Sequence, residues 1–104
     1  MIDSFYGNTY SSKNYYLLKH NHLTLIYKLS YWWVGVDKAL PALGQRVFVL
    51  EDLTQTKEGR GKFVSDMYYC ECGFVANIGD DDPYGYITHW ISFDTIDEIE
   101  DLEL

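Results

Sequence analysis

Basic residues are missing where acidic ones gather. From Asp80 onward the sequence holds nine Asp and Glu and no Lys or Arg, so this segment carries −9 while the whole chain carries −8. A surface of that sign repels nucleic-acid phosphates and anionic membranes and favours basic partners, although solubility is also a sufficient use for it. Cysteine is scarce too, with Cys70 and Cys72 the whole complement. A bridge across so short a loop would be strained, which excludes a disulfide framework and predicts two reduced thiols in a cytoplasmic protein. The longest apolar run is broken by Lys28 and Ser30, so no membrane-spanning helix is expected. A basic stretch followed by an apolar one is absent from the first residues, which argues against a signal peptide. Also missing are a G-x-S-x-G elbow, a recognisable Cys/His/Asn order and any Gly-rich phosphate-binding fingerprint. None of the sixteen carboxylates is singled out by its neighbours, so the expectation is a non-enzymatic protein without a cofactor.

Aromatic rings, in contrast, are plentiful: ten Tyr, five Phe and three Trp make up 17% of 104 residues. That is more than one core of this size needs, so some rings must reach the surface. There they serve either as ordinary strand residues or as anchors for a partner. The hydrophobic share of 47% is enough for a single core without staples, and the length fits one domain.

Patterning predicts mostly strands. Residues 1–14 mix Gly, Asn, Ser and Tyr without a period and read as an irregular arm that orders on a partner. Residues 15–18 and a run from Leu23 flank the polar break Lys19-His20-Asn21-His22, which suits a hairpin turn. In that run Leu23, Leu25, Tyr27, Leu29, Tyr31 and Trp33 alternate with Thr24, Ile26, Lys28, Ser30 and Trp32, the clearest period of two in the chain and hence a predicted strand. Pro41 and Gly44 mark an irregular connection, residues 46–50 a buried strand, and residues 51–62 a polar loop. Further strands are predicted at 63–71, 74–78 and 86–93, with a tight turn at Cys72-Gly73 and a loop over 79–85. A short helix is expected from Asp94, with Thr95 and Glu98 at capping-box spacing and an apolar stripe at Ile96, Ile99 and Leu102. The predicted class is mainly β (α+β): one domain, with a small antiparallel sheet or half-barrel of about five strands, a core over 15–93 and an acidic tail over 94–104.

Several of these segments have a familiar order. Trp33-Val34-Gly35-Val36-Asp37, Leu40-Pro41, Gly44-Gln45-Arg46-Val47-Phe48-Val49 and Ile87-Thr88-His89-Trp90 together resemble a small phage and prophage family catalogued as domain of unknown function 551. The resemblance covers about residues 33–93. It departs at the tail, where the family commonly turns proline-rich and this chain turns acidic, and it leaves the first 32 residues outside as apparent additions. The resemblance implies a phage accessory protein acting on its host; it carries over no catalytic residue.

Three groups of residues are candidates for contact. The acidic set is Asp80, Asp81, Asp82, Asp94, Asp97, Glu98, Glu100 and Asp101, expected to meet a basic surface. The set for an anion or ligand is Arg46, Lys57, Arg60, Lys62, His89 and Trp90. Within it, the loop Lys57-Glu58-Gly59-Arg60-Gly61-Lys62 is the only basic cluster, and its glycines free backbone N–H groups to converge on an anion. Strand alternation puts Trp90 with Thr88 and turns His89 the other way, apart from Ile91. A zinc site from Cys70, Cys72, His20, His22 and His89 has weak spacing support, and Asp80-Asp81-Asp82 lacks the rest of a calcium loop, so no metal is assigned.

The function expected is therefore counter-defence: a phage protein in the host cytoplasm that inhibits a host protein by direct contact through an acidic, aromatic-rich surface, imitating nucleic acid. Two alternatives stand beside it, a homo-oligomer that sequesters a nucleotide signal and a minor virion or assembly component. Direct binding to nucleic acid or to membranes is not expected.

Overall fold

The computed structural model describes residues 11, 16–17, 26, 29–54, 61–77, 79 and 82–99. Among them lie five strands, β1 (Val34–Gly35), β2 (Arg46–Asp52), β3 (Lys62–Cys70), β4 (Gly73–Val75) and β5 (Ile87–Ser92), followed by helix α1 (Phe93–Glu98). All neighbours are antiparallel, and the order across the sheet is β1-β5-β2-β3-β4. The β-branched and aromatic stretch 46–50 occupies the centre, where both faces are covered and polar side chains would be costly. The predicted mainly β class, with a short C-terminal helix, is what the structure shows.

Pairing sorts the side chains onto two faces. Phe48, Leu50, Val64 and Ile91 point to one face, where they pack with Phe93, Ile96, Trp33, Leu29 and Leu17. Phe48 and Phe93 meet with ring centroids 4.8 Å apart and tilted by 56°, a favoured aromatic geometry. On the other face Val47, Val49, Met67 and Phe74 form a second cluster, flanked by Val36, Tyr69, Ile87 and Trp90. The sheet is curled. Tyr84 donates its N–H to Phe74 O and Asp52 donates its N–H to Tyr86 O, each at 2.9 Å. In a flat sheet those two strand positions would be about 25 Å apart, whereas residues 84–86 reach only about 10 Å when extended.

The strongest alternation in the sequence does not produce a strand where the structure describes it. Ser30–Trp32 form a 3-10 turn, Ile26 has helical backbone, and the strand that follows is only Val34–Gly35. Tyr16 and Leu17, read from the sequence as a strand, are helical as well. The same run holds a second pattern: Ile26, Leu29 and Trp33 recur at spacings of three and four, and these are the residues packed on the first face. Burial decided between the two periods, because the face carrying Phe48, Leu50 and Ile91 has to be covered by something crossing it. The described residues of this segment are tied to the core: Leu17 and Leu29 are buried, and the Ser11 hydroxyl donates to Asp97 Oδ1 at 2.5 Å.

The ends of the helix also differ from expectation. α1 begins at Phe93, and Ser92 caps it, accepting the Thr95 N–H at 3.0 Å while its Oγ lies 2.7 Å from Thr95 Oγ1. The expected box from Thr95 to Glu98 lies inside the helix. Ser92→Ala removes the acceptor for an otherwise orphaned N–H and should cost about 1 kcal/mol, read from urea unfolding. A change within error would show that burial of Phe93 and Ile96 alone sets the start of the helix.

Candidate functional site

At one end of the first face the core gives way to a cleft. Register explains its walls: residues 48, 50 and 52 of β2 share that face, and they bring with them His89 opposite Leu50 and Lys62 opposite Asp52. Ile26, Ser30, Trp33, Leu50, Thr54, Gly61, Lys62 and His89 line a space of about 640 Å³. That volume falls in the range of small-molecule sites, as does the mixture of apolar floor and a few polar groups. Trp33 and Leu50, each 9% exposed, form part of the floor.

The polar groups are held in place by short-range bonds. Leu53 N–H donates to Gly61 O at 2.7 Å and closes the loop between β2 and β3, which Gly61 leaves with a φ of +92° that suits glycine. Asp52 Oδ1 accepts from the Thr54 hydroxyl at 2.6 Å and from the Thr54 N–H at 3.0 Å. The Thr54 hydroxyl first, its N–H next and the Lys62 charge in smaller part hold the Asp52 carboxyl below its ordinary range.

A bulge shapes the other wall. The register shifts between Leu50 and Glu51, so Leu50 faces His89 but Glu51 faces Ile87, and Thr88 is the extra residue. His89 and Ile91 therefore share the first face, contrary to the sequence reading, while Ile87 joins Trp90 on the second. The Thr88 hydroxyl lies 3.4 Å from Leu50 O and 2.9 Å from His89 Nδ1. When that hydroxyl donates to Leu50 O, it accepts from Nδ1–H, and the neutral ring then offers Nε2 as an acceptor; protonation converts Nε2 into a donor for an anion.

The residues named from sequence are thus divided among several places. Lys62 and His89 meet in the cleft. Trp90 packs on the opposite face, where its Nε1–H donates to Ala39 O at 2.9 Å. Arg46 is four residues from Leu50, the cleft residue on β2, or about 13 Å along the strand. It grips Asp66 through Nε at 2.7 Å and through the adjacent guanidinium nitrogen, with its Cζ 5.5 Å from the Tyr68 ring centroid. Lys57 and Arg60 lie outside the described residues, as do Asp80, Asp81, Glu100 and Asp101. Asp94, Asp97 and Glu98 are exposed on α1, which follows β5; Asp82 is exposed beside Pro83 and Tyr84, which pack on β4 at the far edge of the sheet.

Trp33, Leu50, Ser30 and Thr54 were not singled out as site residues from sequence. Trp33 carried the one available signal, since it opens the motif that His89 helps to close. Among the described residues no three His, Cys, Asp or Glu converge as a metal site would require, and no helix is long and apolar enough to cross a membrane. Comparison with known proteins finds no matching family model, no matching curated protein and no matching solved structure.

Proposed function

We propose that this is a non-enzymatic binding protein whose cleft takes a small anion carrying an aromatic ring, of the nucleotide class. The observation that supports it is the meeting of Lys62, His89 and Trp33 around one space of about 640 Å³, at the root of the loop that also holds Lys57 and Arg60. Lys62 and protonated His89 would meet the phosphate, and Trp33 the base. With the phage setting implied by the resemblance of residues 33–93, the role would be sequestration of a nucleotide signal in the host cytoplasm, by a single chain or a homo-oligomer.

Thermal-shift screening and calorimetry against cyclic and linear nucleotides test this directly. Lys62→Ala and His89→Ala should each weaken binding by roughly tenfold or more, the scale of a lost charge-assisted hydrogen bond. Arg46→Ala should leave affinity unchanged. Absence of a shift with every nucleotide would withdraw the reading.

A second reading keeps the acidic surface as the contact with a basic host protein. It is favoured by the exposure of Asp94, Asp97 and Glu98 on the side of α1 away from buried Phe93 and Ile96. Association of that kind is fast and salt-sensitive. Capture of a basic protein at low salt but not at high salt would support it over the cleft.

A further inference from the structure

The turn between β3 and β4 brings the two cysteines together. Cys70 and Gly73 are the last paired residues of the hairpin, so Glu71 and Cys72 form a two-residue loop and both thiols emerge from it. Their sulfurs are 2.8 Å apart, and Cys70 Sγ also lies 3.3 Å from Gly73 O. A disulfide is about 2.05 Å long, so closing the bond needs a relative sulfur movement of less than about 1 Å. Two further features hold the turn. Gly73 has a φ of +129°, a conformation side chains rarely adopt, and a Cβ there would come within 3.0 Å of Pro83 Cβ. Just inside it, Tyr69 and Phe74 are paired in register with rings 5.1 Å apart. Cys72 is exposed and Cys70 half-buried, so a small reagent can reach the pair.

We propose that Cys70 and Cys72 form a redox-active dithiol that closes and reopens by exchange with low-molecular-weight disulfides of the glutathione class. The Cys70 thiolate attacks one sulfur of the small disulfide; that S–S bond breaks, and one small thiol leaves with the proton Cys70 gave up. Cys72 then loses its proton and attacks Cys70 Sγ, the mixed S–S bond breaks, and the second small thiol departs. Two protein thiols and one small disulfide become one protein disulfide and two small thiols, so atoms and electrons balance. Cys70 is suited to the first step: the Cys72 thiol donates to it, the Cys72 and Gly73 N–H groups add to this, and together they lower its pKa despite burial and the Glu71 charge. The strain of so small a ring makes the product readily reducible, the property of a regulatory bond rather than a structural one.

The test uses the full chain, reduced and then exposed to oxidised glutathione, followed by intact mass and free-thiol counting. The expected product has lost two hydrogens and both thiols, forms at a rate independent of protein concentration, and reverts in reduced glutathione. Cys72→Ser, at an exposed position, should stop at one glutathione adduct, and Cys70→Ser should react more slowly than Cys72→Ser. Stable glutathione adducts on the unaltered chain, unreacted thiols, or a disulfide formed only between chains would each overturn the proposal.

Discussion

Phe48→Ala is expected to lower the unfolding free energy by about 3–5 kcal/mol, the cost of emptying a fully buried aromatic site. Phe48 has no exposed surface, sits in the central strand and packs its ring on Phe93, while its pairings reach Asp66 on one side and Ile91 on the other. Neither neighbouring strand can collapse into the gap without breaking register, so little of the cavity would be recovered. For a domain whose whole stability is about 5–15 kcal/mol, that is a large share. Urea unfolding should show a lower midpoint with an unchanged slope. A loss below about 1 kcal/mol would mean that this face is loosely packed.

Leu17→Ala is expected to cost about 2–5 kcal/mol, although Leu17 lies sixteen residues before Trp33, outside the segment 33–93 in which the sequence alone suggested a resemblance. The structure buries Leu17 completely among Leu29, Trp33, Phe48 and Ile96. Removing its side chain opens a cavity in the cluster that also holds Phe93 and Ile96 of α1. Were the N-terminal segment dispensable, the change would fall within about 0.5 kcal/mol, as at a surface site. Pairing it with Ile96→Ala in a double-mutant cycle should reveal non-additivity, since both belong to one cluster.

Much of the sheet was legible in the sequence. Strands at 46–50, 63–71 and 86–93 and the punctuation at Gly44 and Gly73 announced themselves through β-branched runs and turn residues, and the observed boundaries differ by one or two residues. In the run 23–33 the described residues, Ile26 and 29–33, were misread because the pattern satisfies two periods at once: Leu29 and Trp33 belong to the alternating set and also to the helical one with Ile26. The helix start at Ser92 was hidden because Phe93 completes an apolar strand pattern as well as it opens a helix. The site was half legible. Lys62 and His89 were named for charge and chemistry, but that they share a cleft with Trp33 depends on pairings between β2 and its two neighbours. Arg46 looked equivalent to Lys62 until the structure set it opposite Tyr68 and gave it Asp66.

By itself the sequence determined that this chain folds as one acidic, aromatic-rich and mainly β domain, because composition and local periodicity act on each residue through its immediate neighbours. Only the tertiary structure decided which of two periods Ile26, Leu29 and Trp33 follow, that Arg46 is already neutralised, and which rings and imidazole share a space. Those outcomes depend on strand register, on the bulge at Thr88 and on which face needs cover, all of them contacts between residues distant in the chain.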